Sequence, residues 1–261
     1  MTITLVQSDI FWENKDANLE NFSAKLDRIG NNPDLIILPE MFATGFTMNA
    51  KKFAEKENGK TVSWLKNEAE KRNCVVTGSV LIEDDGRYFN RMFWMKPDGS
   101  YETYDKRHLF RMGKEHLIMS QGINRKIVEL NGWKINLQIC YDLRFPVWSK
   151  NRYRNGEYEY DMLIYVANWP EVRKEAYLSL IPARAIENQS YVIWVNRTGN
   201  DGNNIFHSGD SMVSDPYGKI VAQADPGKDQ LINVTLSKQI QEDFRKKFTV
   251  GMDWDNFRID R

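Results

Sequence analysis

Several short apolar runs in this chain stop abruptly at a polar or reactive residue. DLIILPE ends on Glu40, INLQIC on Cys140, MLIYVAN on Asn168 and YVIWVNR on Asn196 and Arg197. An uninterrupted apolar run of this length, DLIIL above all, suits a strand covered on both faces. In open α/β sheets the ligand crevice lies outside the carboxyl ends of the strands. The residues that terminate these runs are therefore expected to converge, although they lie far apart in sequence.

Between the runs the pattern changes period. Leu19, Phe22, Leu26 and Ile29 recur at spacings of 3, 4 and 3, which predicts one helix face, with Gly30 at its C-terminus. Val62, Leu65 and Ala69 predict a second helix leading into a strand over 74–80. Residues 87–104 are expected to form a hairpin around the turn Pro97-Asp98-Gly99. Further strands are expected at 2–7, 133–139, 162–167 and 191–196. Residues 209–236 are expected to run strand, turn (Asp215-Pro216-Tyr217-Gly218), strand, strand. A helix is predicted over 171–188, kinked or interrupted at Pro182, and another over 237–247, capped by Ser237 with Ile240 and Phe244 facing inward. The stretch holding Gly199, Gly202 and Gly209 is expected to be a loop. No internal repeat is visible. The alternation of β-α-β units with hairpins predicts an α/β protein with a mixed sheet.

The length of 261 residues, with no Pro/Gly/Ser-rich linker or block of like charge, predicts a single domain over 1–261. Lys plus Arg and Asp plus Glu number 36 each, so no basic surplus points to nucleic acid or an acidic membrane. The opening MTITLVQSDIFWENKD has a short apolar run broken by Asp9 and Glu13, which argues against a signal peptide or membrane span. Two cysteines, Cys74 and Cys140, make a disulfide framework an unsuitable reading and fit a cytoplasmic protein.

Taken singly, the candidate reactive residues are ordinary. A free cysteine behaves as a small hydrophobe. A glutamate after four apolar residues and a proline could cap a helix, and Lys106 could be a solvated lysine beside Asp105. A papain-like pair would need His108, His116 or His207 beside the thiol, and none of them closes a predicted strand. No zinc-ligand spacing and no phosphate-binding glycine loop occurs. The residues alone thus leave a cysteine hydrolase and a structural reading both open.

Read together, DLIILPEMFATGF, YDKRHLF and LQICYDLRFP resemble, in order and spacing, the glutamate, lysine and cysteine segments of the nitrilase superfamily. KEHLIMSQG, YVANWP, ARAIENQSYVIWVNRTGNDG and HSGDSMVSDPYG extend the resemblance from Thr2 to about Asp253. It implies an α-β-β-α sandwich with mixed sheets, assembled as a homodimer or higher homo-oligomer through its helices. It places Glu40, Lys106 and Cys140 at the catalytic triad positions, as base, oxyanion partner and nucleophile, and Glu115, seven residues before Gly122, at a second active-site glutamate. Within the superfamily, FRMGKEH, CYDLRFPVWSKNR and VANWPEVR are similar to omega-amidases, which hydrolyse the terminal amide of 2-oxoglutaramate and 2-oxosuccinamate. The implied partner is a small-molecule amide, with no cofactor and no metal. Tyr141 would supply a backbone oxyanion donor and Arg144 would hold the substrate carboxylate, with Trp169, Phe46 and Phe110 as an aromatic wall. A salt bridge from Arg144 to Asp142 or Glu187 is the structural alternative. A nitrilase or N-carbamoyl hydrolase, or a silent binding protein on the same fold, are the rival functions. A scaffold, however, has no need of Glu40, Lys106 and Cys140 together.

Overall fold

The Met162–Ala167 run is buried along its whole length, as a strand with no polar alternation must be. It is flanked by parallel strands on both sides. The computed structural model describes residues 1–30 and 32–259. Twelve strands build two six-stranded sheets. They are β1 (Thr2–Gln7), β2 (Leu35–Ile37), β3 (Val75–Asp84), β4 (Arg87–Met95), β5 (Tyr101–Asp105) and β6 (Ile127–Leu130). The remainder are β7 (Trp133–Ile139), β8 (Met162–Ala167), β9 (Tyr191–Asn196), β10 (Met212–Ser214), β11 (Ile220–Gln223) and β12 (Gln230–Thr235).

The first sheet has the order β12-β1-β2-β3-β4-β5 and the second β6-β7-β8-β9-β10-β11. Read in those directions, both pair antiparallel, parallel, parallel, antiparallel, antiparallel. The fold therefore repeats a topology that the sequence does not display as a repeat. Ile3, Leu5, Leu35 and Ile37 of the first sheet share one core with Ile135, Leu137 and Leu163 of the second. The alternate residues Val6, Ile36 and Leu38 face outward onto helices α1 (Lys15–Leu26) and α2 (Lys60–Arg72). Tyr177, Ile181 and Ala185 of helix α3 (Lys174–Asn188) join the core from the second sheet's side. The result is an α-β-β-α sandwich, as the resemblance implied.

Local expectations differ from the structure in four places. Helix α1 ends at Leu26, so Gly30 does not close it; the turn after it is held by the Ile29 N–H on the Leu26 carbonyl. A 3₁₀ turn at Glu171–Arg173 precedes α3, and Pro182 lies inside that helix without interrupting it. Gly199 sits in a small hairpin, Thr198–Asn200 paired with Phe206–Ser208, rather than in a plain loop. Helix α4 (Lys238–Lys247) is capped by Ser237 as expected, but Ile240 is half exposed. Its buried residues are instead Gln241 and Arg245, which bond to the Gln189 carbonyl, with Arg245 also pairing with Asp161 at 2.6 Å. A polar helix face buries itself here because each buried group finds a partner. Of the C-terminal aromatics, Trp254 packs on Tyr158 and Phe257 lies under Arg152, while Phe248 stays exposed. Among the described residues no helix is long and apolar enough to cross a membrane.

Candidate active site

The ends of β2, β5, β7 and β8 meet between the two sheets. Pro39 stops the β2 ladder, and the Glu40 N–H reaches the Ala167 carbonyl of β8 in the other sheet at 3.4 Å. The Asn168 amide returns the link, donating to Glu40 Oε2 at 2.8 Å. Lys106 follows β5 directly and donates from Nζ to Glu40 Oε1 at 2.8 Å. Glu115 opens a short helix, Glu115–Ile118, and accepts from the same Nζ at 3.0 and 3.1 Å. The Phe110 N–H fixes its Oε2 at 2.6 Å. Asp105 does not pair with Lys106; it is taken by Arg91 at 2.6 Å.

Cys140 closes β7 and begins a 3₁₀ turn with a φ of 45°, in the left-handed region that a side chain disfavours. Such a conformation costs about 1–3 kcal/mol and persists only where the surroundings enforce it. Here Asp142, two residues on and wholly buried, supplies the enforcement. It accepts from the Ile139 N–H at 3.0 Å, from Tyr104 Oη at 2.7 Å and from the His108 amide at 3.0 Å, and it meets His108 Nδ1 at 2.8 Å. The strained turn aims Cys140 at Glu40 and Lys106. It also puts the Tyr141 amide in the first turn of a helix, where N–H groups lack intrahelical acceptors.

Burial governs the charge states. It raises the Glu40 carboxyl above its ordinary range against the pull of Lys106, with Glu115 adding to the rise. It raises the Cys140 thiol well above its usual value, helped by the Glu40 charge and opposed by Lys106. Burial disfavours the Lys106 ammonium too, but Glu115 and Glu40 outweigh it and keep the lysine charged. Burial thus holds the proton on the Cys140 thiol and makes Glu40 a stronger base than a solvated carboxylate, beside a fixed cation.

Above the cluster lies a cavity of about 630 Å³. Phe46, Phe110, Tyr141, Arg144 and Trp169 all line it, so every residue expected to meet substrate borders the same space. The Arg144 guanidinium lies over the Trp169 ring at 4.8 Å. Neither expected salt-bridge partner holds it: Asp142 is occupied as above, and Glu187 pairs with Arg184 at 3.0 Å. His207 also borders the cavity, but its Nδ1 faces the Ile205 carbonyl at 2.9 Å. Burial and then Arg197 push its pKa down to about 4, so it is neutral.

Two contributors, Asn90 and Arg173, escape the sequence, while a third, Asn196, is one of the strand ends expected to converge. Asn90, in mid-β4, donates from Nδ2 to Glu40 at 2.8 Å and to Glu115 at 3.3 Å. Arg173 lines the cavity from the turn before α3. Asn196 grips the Trp169 backbone on both sides, at 2.9 and 3.0 Å. Only Asn196 carried a signal, as the polar end of an apolar strand.

An α-β-β-α sandwich with this cluster at its strand ends defines an enzyme that attacks carbon–nitrogen bonds. The chain belongs to the carbon-nitrogen hydrolase family, which it matches over residues 2–245. Among characterised relatives it is 42% identical over 259 residues to an omega-amidase of Yersinia enterocolitica, covering 99% of this chain and 98% of that one. It is 32% identical over 256 residues to the 2-oxoglutaramate amidase of Bacillus subtilis, covering 97% and 96%. Its structure superimposes with a TM-score of 0.97 and 40% identity on a CN-hydrolase superfamily protein of Xanthomonas campestris, covering 100% of this chain and 99% of that one. That crystal structure carries an arsenic adduct in the active site. The chain is an omega-amidase-like carbon–nitrogen hydrolase.

Proposed function

We propose that the chain hydrolyses the terminal amide of 2-oxo dicarboxylic acid monoamides, 2-oxoglutaramate and 2-oxosuccinamate, to the acid and ammonia. The observation that carries this reading is a cysteine set against a buried Glu40–Lys106 ion pair, under a cavity whose Arg144 has no acidic partner among the described residues. Glu40 takes the thiol proton as Cys140 Sγ adds to the amide carbon. The oxyanion that forms is stabilised by Lys106 and the Tyr141 amide. Glu40 gives its proton to the departing ammonia, which leaves a thioester on Cys140. Glu40 then takes a proton from water, whose oxygen attacks the thioester; the C–S bond breaks, the acid is released, and Glu40 returns the proton to Cys140 Sγ. Glu115 is a positioning residue. When Glu40 becomes neutral, its contacts of 3.0 and 3.1 Å keep Lys106 charged and aimed.

The test is ammonia release from a panel of 2-oxo acid amides, nitriles and N-carbamoyl compounds. The 2-oxo acid amides are expected to be fastest. A faster nitrile or carbamoyl substrate moves the chemistry elsewhere in the superfamily, and silence across the panel leaves a binding protein.

The pH profile follows from the same cluster. Protonating Glu40 removes the base, so activity falls as pH drops through its raised pKa. The acid limb of kcat/KM is therefore expected above the ordinary glutamate value of 4.5. An acid limb at or below that value would remove Glu40 as the titrating base.

A further inference from the structure

Two guanidinium groups open onto the cavity above Cys140, and among the described residues neither meets a carboxylate. The buried arginines are neutralised, Arg91 by Asp105, Arg184 by Glu187, Arg197 by Asp9 and Arg245 by Asp161, whereas Arg173 is half-buried and Arg144 exposed at the cavity. Arg144 rests on the Trp169 ring at 4.8 Å and Arg173 on the Phe110 ring at 5.1 Å. A cation over an aromatic face is fixed in place but keeps its N–H donors available.

One tryptophan ties the two arginines together. Trp169 carries Arg144 on its ring, and its Nε1 donates to the Arg173 carbonyl at 3.1 Å. Asn196 locks the Trp169 backbone from both sides. The arginines also sense each other. Burial pulls the Arg173 guanidinium below its ordinary range; Cys140 opposes that fall and the Arg144 charge adds to it. Two guanidinium groups that line one cavity, neither paired with a carboxylate among the described residues, form a site that an anion completes.

We propose that Arg173 joins Arg144 in a two-guanidinium clamp for the 2-oxo acid end of the substrate, making Arg173 a specificity-determining residue. This rests on the proposed amidase reading for the chemistry at Cys140, while the anion recognition stands on the arginines themselves. A 2-oxo acid presents two carboxylate oxygens and an adjacent carbonyl oxygen, three acceptors and no donor. One guanidinium takes the carboxylate as a fork, and the second takes the oxygens that remain. An α-ammonium in place of the oxo group would be driven against two cations.

The experiment compares Arg173→Met, Arg173→Lys and the parent enzyme on 2-oxoglutaramate and on butyramide, a neutral amide. With each enzyme the inhibition constant of 2-oxobutanoate is measured against butyramide. In Arg173→Met, KM for 2-oxoglutaramate and the inhibition constant of 2-oxobutanoate are each expected to rise about tenfold or more. The accompanying loss on butyramide should be much smaller, and Arg173→Lys should recover part of the binding. An unchanged inhibition constant, or an equal loss on both substrates, overturns the clamp. If the parent enzyme does not prefer 2-oxoglutaramate, the amidase reading falls, and the inhibition constants still decide the clamp.

Discussion

Cys140→Ala is expected to give a folded protein that releases no measurable ammonia from amides the parent enzyme hydrolyses. Alanine keeps the β-carbon in its pocket and changes only the reacting atom. Cys140→Gly should be at least as stable as the alanine variant, because glycine adopts the φ of 45° without strain. Lys106→Met is expected to lower kcat about 10²–10³-fold through loss of an oxyanion partner. It also removes the cation between two buried carboxylates, and breaking such a cluster costs about 3–5 kcal/mol. Asn90 alone would then bridge Glu40 and Glu115, whose repulsion should drive uptake of a proton. Circular dichroism and a melting curve must therefore accompany the kinetics. Intact mass after early quenching should show the acyl group on the parent enzyme and none on Cys140→Ala. Ammonia release by a verified Cys140→Ala protein, or product accumulating with only unmodified enzyme ever trapped, would remove the covalent route.

The strands were the most legible part of the fold, for a physical reason. A strand buried on both faces excludes polar residues along its length, so β2, β8 and β9 announce themselves, and the residue that ends each run stands out. Helix faces were less legible where partners replace hydrophobicity. Gln241 and Arg245 are buried because the Gln189 carbonyl and Asp161 lie opposite them, which no local period encodes. Ile240 shows the converse, an apolar residue left outside. The repeated sheet topology was hidden because pairing sense depends on how strands connect, and the two halves share no visible sequence pattern.

Within the site, Glu40, Cys140 and Asn168 could be picked out as strand ends. Their partnership came from the superfamily resemblance, since nothing local says that β2 of one sheet meets β7 and β8 of the other. Lys106 was ambiguous beside Asp105 until Arg91 proved to hold that aspartate. Asn90 sits in mid-β4 between Phe89 and Arg91, and Arg173 in a polar stretch resembling any solvated turn. Both matter only through neighbours supplied by distant parts of the chain. Asp142 does not pair with Arg144; its hydrogen bonds hold the strained turn at Cys140.

Selectivity for the 2-oxo acid over the amino acid is the second large effect expected. The kcat/KM for 2-oxoglutaramate should exceed that for glutamine by about a hundredfold or more, since an unpaired ammonium must be desolvated in the cavity. The lining supports this sign. Arg144 and Arg173 carry positive charge, and Trp169, Phe46 and Phe110 offer aromatic surface. Asp201 also borders the cavity, but its Oδ1 accepts from the Asn203 and Ile205 amides at 2.8 and 3.0 Å and is engaged in its own turn. Arg144→Met should lower kcat/KM for 2-oxoglutaramate far more than for glutamine and so compress the ratio. The Trp169 ring that now carries the guanidinium can pack against a methionine, which limits the structural cost. Equal kcat/KM for the two substrates in the parent enzyme would end the proposed substrate class. A selective parent with an unaffected Arg144→Met variant would keep that class, move the carboxylate site elsewhere and overturn the two-guanidinium clamp.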